Sequence, residues 1–191
     1  VTDLELYDED DEARASGVLV NTRQEREQAV RSWLLLSAQS ADRARTEWQI
    51  GGVALLRCGA LFAAVRMSAD LVHAAAGSAD AETVNAYLAE VLHGGPVFVD
   101  QHSRRYYALV PASTADRPEW RGRRRDGAEC LGRDSYLGVP RPEFNDPLQH
   151  FSYWCVPMDG PGDLCPPPEV SRLAAYGRHR LAAAEAGGGE P

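Results

Sequence analysis

The chain has 191 residues, is 44% hydrophobic and carries a formal net charge of −8. That length suits one domain with a core of ordinary size, and the apolar fraction excludes global disorder. No apolar run approaches the ~18 residues of a membrane helix, and the acidic start lacks the basic n-region of a secretory signal, so a soluble, cytoplasmic protein is expected.

The charge is unevenly placed. Asp3, Glu5, Asp8, Glu9, Asp10, Asp11 and Glu12 all precede the first Arg, at position 14. Like charges packed this densely repel, so residues 1–20 are read as an acidic, disordered arm. A single domain is expected over residues 21–184, followed by a flexible Gly-rich tail over 185–191. All 20 basic residues are Arg, the usage of a GC-rich genome. Each is permanently charged and can fork onto carboxylate or phosphate. The absence of Lys also rules out a Walker-type Gly-Lys-Ser/Thr loop.

In chain order, Thr22 and Glu25 form a capping box, and Val30, Trp33, Leu34 and Ser37 recur at helical spacing. One helix to about Ala41 is expected, with Trp48 packing near the turn that follows. Gly51-Gly52 breaks the chain before a strand over 53–57, and Gly59 turns it into a second strand over 61–67, a predicted hairpin. Ser68 caps a short helix ended by Gly77. A further helix runs from about Ala81 to Leu92 and stops at Gly94-Gly95. Strands at 97–100 and 105–110 are joined by a turn at His102-Ser103. The loop from Pro111 to Gly127 is long and Arg-rich, and such loops commonly carry function. Strands near 129–131, 136–139 and 153–156 follow, then a helix from about Glu169 to Ala184. The fold class is α+β: a small, mostly antiparallel sheet flanked by helices.

Cys58, Cys130, Cys155 and Cys165 are widely spaced, with no CxxC pair, so no structural zinc site is expected. The five His show no mutual spacing typical of a metal site. Between Arg104 and Arg133 eight Arg face four acidic residues, so the overall acidity leaves room for a nucleic-acid surface. Arg104 and Arg105 beside Tyr106 and Tyr107 combine phosphate-binding and base-stacking groups. Arg121, Arg123, Arg124 and Arg125 form a candidate phosphate-binding loop. The plainer reading of both stretches is a solvated hairpin and a solvated loop.

Four collinear segments carry a resemblance. They are Phe62-Ala63-Ala64-Val65-Arg66-Met67, Ser103-Arg104-Arg105-Tyr106-Tyr107, Glu129 with Gly132 and Tyr136-Leu137-Gly138-Val139-Pro140, and Tyr153-Trp154. Over residues 25–160 their order resembles the N-terminal domain of bacterial bifunctional DNA primase/polymerases. That family ends an early strand with two alternate aspartates, follows with an Arg-His turn, and adds an Asp before a Gly and a Tyr-apolar-Pro strand. There, carboxylates hold two metal ions and a basic residue or His grips the nucleotide. Here the first strand carries no carboxylate, Tyr106 stands where the His would be, and Glu129 replaces the Asp. The resemblance implies a prim-pol-like fold that has lost its catalytic metal site, with no cofactor. It implies binding of a nucleotide or single-stranded DNA through Arg104, Arg105, Tyr106, Glu129 and Arg133, flanked by the Arg loop. Two alternatives stay open. One is a protein-interaction module with a filled cleft, whose acidic arm docks a basic partner. The other is a divergent metal-dependent nucleotidyl-transfer enzyme using Glu129 with Asp70 or Asp100.

Overall fold

A computed structural model describes residues 22–121 and 127–187; the acidic arm and Arg123, Arg124 and Arg125 lie outside the described residues. The capping box at Thr22 opens α1 (Arg23–Leu35), with Thr22 Oγ1 accepting from the Glu25 amide and the Glu25 carboxylate accepting from the Thr22 amide. The single helix expected to about Ala41 is two. Ser37 Oγ donates back to the Leu34 carbonyl at 2.7 Å. Ser40 then caps a new helix, α2 (Ala41–Gly51), which carries Trp48 on its buried face. A Ser that caps competes with helix continuation, which is why the periodicity carried across but the helix did not.

The strand β1 (Val53–Arg57) does not form the expected hairpin with β2 (Phe62–Ser68). It pairs antiparallel with β6 (Tyr136–Pro140) in a separate two-stranded ribbon. Gly59 lies in the link between β1 and β2 at φ +97°, where a Cβ would meet the Arg133 Cα at 2.5 Å. That link carries the chain from the ribbon to the main sheet.

The main sheet has five strands in the order β5-β2-β4-β3-β7, all pairings antiparallel. Its other members are β3 (Val97–Asp100), β4 (Arg105–Pro111), β5 (Ala128–Leu131) and β7 (Ser152–Val156). β3 and β4 form the expected hairpin. The sheet is packed on both faces. On one lie α3 (Ala69–Ala76), α4 (Ala81–Val91) and α5 (Pro167–Gly187), around a core of Val65, Met67, Leu71, Leu88, Tyr106 and Leu173. On the other lie α1, α2 and the ribbon, around Leu34, Trp48, Leu56, Phe62, Phe98 and Trp154. The Trp48 indole donates to the Val139 carbonyl at 2.9 Å and so ties α2 to the ribbon. The helix α5 runs to Gly187, past its expected end at Ala184 and into the stretch read as tail. Among the described residues no helix is long and apolar enough to cross a membrane.

Candidate functional site

Side chains alternate between the two faces of a strand, and this rule divides the residues singled out in the sequence. On β4, Tyr106 is buried against α3, with its hydroxyl 3.1 Å from His73 Nε2 and the two rings edge to face. Burial raises its phenol pKa. A ring sealed in this way cannot stack a base, so Tyr106 is no open binding residue. Arg104 sits in the β3–β4 turn at φ +53°, and its guanidinium reaches Asp70 of α3 at 2.6 Å.

Arg105 and Tyr107 belong to the opposite face. Tyr107, half-buried, stacks on Phe98 at 4.8 Å between centroids and 16° between planes. Across the strands the register sets Glu129, Arg66, Tyr107, Phe98 and Trp154 in one row, and Ser68, Arg105, Asp100 and Ser152 in the next. The apolar members of the first row sit under α1 and the ribbon. The polar members collect where β2 ends and β4 begins.

The charges in this corner are neutralised unevenly. Arg66 and Glu129, directly opposite on β2 and β5 and both mostly buried, form an ion pair. The Asp100 carboxylate is used by its own turn, accepting from the His102 and Ser103 amides and from Ser103 Oγ at 2.7 Å. Arg105, half-buried beside it, has no ion-pair or hydrogen-bond partner among the described residues. The three acids considered for a metal thus have three different tasks: Asp70 holds Arg104, Asp100 closes a turn and Glu129 faces Arg66. Among the described residues no group of three or more His, Cys, Asp or Glu is placed to hold a metal ion.

Two other candidates fall away from the corner. Arg133 is exposed and packs its backbone on Gly59, near the start of β2, at the opposite end of that strand from Ser68. Arg121 is exposed in the turn after Arg117, whose carbonyl accepts from the Arg121 amide. The long loop is also less open than its composition suggests. Its first part is a 3-10 helix (Ala112–Asp116) with Thr114 wholly buried, and Trp120 packs on the α3–α5 core. The thiols offer no nucleophile: burial pushes Cys58 up to about 11 and Cys130, Cys155 and Cys165 up to about 12.

Two residues, Arg66 and Phe151, are not singled out in the sequence, and a third, Tyr107, is named there only together with Tyr106. Arg66 was one charge in an apolar strand, and its partner became visible only with the β2–β5 register. Tyr107 could have been separated from Tyr106 by strand alternation, given a fixed register. Phe151, at the rim beyond β7, is 43% exposed and stacks on His102 at 4.7 Å and 7°. Nothing local marked that pairing. No family model, curated protein or solved structure matches this chain.

Proposed function

We propose that the chain is a catalytically degenerate primase/polymerase-like domain that binds a nucleotide or single-stranded nucleic acid without metal, at the corner formed by Arg105, Tyr107, Arg66 and Glu129. The observation that carries this reading is the ion pair between Arg66 and Glu129 beside an Arg105 with no partner. In the resembled family two alternate acids end the early strand, and here Arg66-Met67-Ser68 ends β2. A guanidinium then does for Glu129 what a metal ion would do for a carboxylate, which removes the need for a cation and leaves the Arg105 guanidinium available to an anionic ligand. Arg105, on the face of Glu129, is a better counterpart of the family's nucleotide-gripping His than the buried Tyr106. The half-buried ring of Tyr107 supplies an aromatic surface next to the phosphate-binding fork. Four free thiols fit a reducing, cytoplasmic setting.

A second reading keeps the fold as a protein-interaction module. It is favoured by exposed apolar side chains on α2 and β1, Ile50 at 84% and Leu55 at 50%, with Leu36 at 73% after α1.

Anisotropy of labelled dT8 in EDTA separates the readings. Binding is expected without divalent metal, and Arg105→Ala should weaken it about tenfold or more, the range of a lost charged hydrogen bond. Glu129→Gln frees Arg66 for the ligand and should strengthen binding roughly fivefold, the factor that ~1 kcal/mol carries. A metal-binding Glu129 gives the opposite sign. Affinity that is unchanged in Arg105→Ala, or that needs Mg²⁺ and falls in Glu129→Gln, removes the proposal.

A further inference from the structure

The two-stranded ribbon leaves one of its edges bare. In an antiparallel pair, successive residues turn their N–H and C=O groups alternately toward the partner strand and away from it. The ends of the β1–β6 ladder fix the alternation: the Arg141 amide donates to the Gly52 carbonyl and the Cys58 amide to the Ser135 carbonyl, each at 2.9 Å. Counted by twos from those bonds, Ala54 bonds Val139 and Leu56 bonds Leu137. The backbone groups of Leu55 and Arg57 on β1, and of Tyr136 and Gly138 on β6, therefore point outward.

The two outward edges are treated differently. On β1 the Leu55 amide donates to Glu47 Oε2 and the Arg57 amide to the Ser37 carbonyl, both at 2.9 Å, so α2 and the turn after α1 cap that side. On β6 the amides and carbonyls of Tyr136 and Gly138 have no partner among the described residues, and both residues are exposed. The Tyr136 side chain does not shield them. Its hydroxyl accepts from Gln39 Nε2, two residues past Ser37 on the β1 side, so the ring leans across β1. Gly138 has no side chain to offer. Edge strands are commonly blunted by charge, and Tyr136-Leu137-Gly138-Val139-Pro140 carries none. Pro140 blocks only the far end of the edge, where its carbonyl accepts from the Trp154 indole.

We propose that β6 pairs with β6 of a second copy of this chain, antiparallel about a twofold axis at Leu137, joining two ribbons into one four-stranded sheet. In that register Tyr136 of each copy lies opposite Gly138 of the other. Each such pair exchanges both of its bonds, so every free donor and acceptor at these residues is matched. Pro140 falls opposite Asp134, outside the bonded pairs. A second copy, and not a foreign peptide, is favoured by this match: the bare edge offers two residues, and the same two residues run in the opposite direction complete it. A twofold contact uses the same edge on both copies and closes at two, and the capped side of β1 gives the ribbon no further growth. The pairing does not rest on the phosphate-binding reading of Arg105.

Sedimentation velocity of the intact chain across micromolar concentrations tests the pairing, with hydrogen exchange of the Tyr136 and Gly138 amides and a urea melt for each variant. The expected result is a reversible monomer–dimer equilibrium in which both amides exchange more slowly as the dimer fills. Gly138→Pro removes an outward N–H without touching a β1–β6 bond. It should weaken dimerisation about tenfold or more, because two hydrogen bonds, one from each copy, go at once. Gly138→Ala brings the same Cβ to within 3.0 Å of Val53 Cγ1 yet keeps the N–H, and should dimerise as the parent does. Tyr136→Pro removes the other donor and serves if Gly138→Pro folds poorly. A parent that stays monomeric with fast-exchanging amides leaves the edge to a strand of a different protein and overturns the proposal. A monomer in which these amides are protected at every concentration overturns it too, since another segment of the same chain then covers the edge. A dimer that survives both proline substitutions uses a different surface, and the β6 pairing is wrong.

Discussion

His73 shows how one buried contact sets a pH dependence. Its Nε2 meets the Tyr106 hydroxyl, and burial first, then the Arg104 guanidinium, lowers its pKa, while Asp70 opposes both. The folded protein therefore binds the His73 proton less readily than the unfolded chain, whose His titrates near ~6.5. Between the two values the unfolded state holds more protons, so stability rises with pH. The contribution is fully present above about pH 6.5 and is lost as pH falls below it. Melting temperatures between about pH 7.5 and pH 5 should fall further in the parent than in His73→Gln. Parallel curves for the two would show that His73 is not the titrating group. The same residue scale explains which parts of the site were legible. The cluster of Arg and Tyr at 104–107 is visible as composition, but its division between the two faces depends on strand register. Glu129 was legible as the lone carboxylate in its motif, whereas Arg66 acquires meaning only from a strand more than sixty residues away.

At the scale of elements, local chemistry was readable and long-range pairing was not. Ser68 and Gly77 bracket α3 as expected, with Ser68 Oγ accepting from the Leu71 amide and Gly77 at φ +69°. The β1–β2 hairpin failed because adjacency in sequence says nothing of which partner has the matching buried face. For β1 that partner is β6, which sets Ala54 and Leu56 beside Val139 and Leu137. Helix packing gives a paired prediction. A Cβ on Gly177 of α5 would stand 2.5 Å from the Leu71 carbonyl oxygen and 2.7 Å from Leu71 Cδ2 on α3. The close approach of these helices thus requires glycine, and Gly177→Ala should lose about 1–3 kcal/mol through overpacking. Gly51, in the last turn of α2, has nothing within 4 Å of the same position. Gly51→Ala should gain about 0.5–1 kcal/mol by restricting the unfolded chain. Urea melts of the two variants should move in opposite directions; a stabilised Gly177→Ala would mean that α3 and α5 separate easily.

At the scale of the molecule, one sheet serves two cores. Strand β2 sends Phe62 and Ala64 to the α1–α2 side and Ala63, Val65 and Met67 to the α3–α5 side, and β4 does the same with Leu109 against Ala108 and Val110. Neither layer can lose its packing without exposing the other face of the same strands. The two cores should therefore unfold in one transition. Leu34→Ala in the α1–α2 layer and Leu88→Ala in the α4 layer each remove a fully buried side chain, at about 2–5 kcal/mol. The tryptophans make the two sides separable by fluorescence. Trp33, Trp48 and Trp154 belong to the α1–α2 side, and Trp120 packs on the other. In a Trp120→Phe background, fluorescence reports one core while far-UV circular dichroism reports helices from both. The two signals should give coincident urea midpoints in both Leu variants, as a two-state domain requires. In Leu88→Ala, helix loss at lower urea than the fluorescence change would instead mean that the α3–α5 layer detaches first and leaves the Arg105 corner on a partly folded sheet.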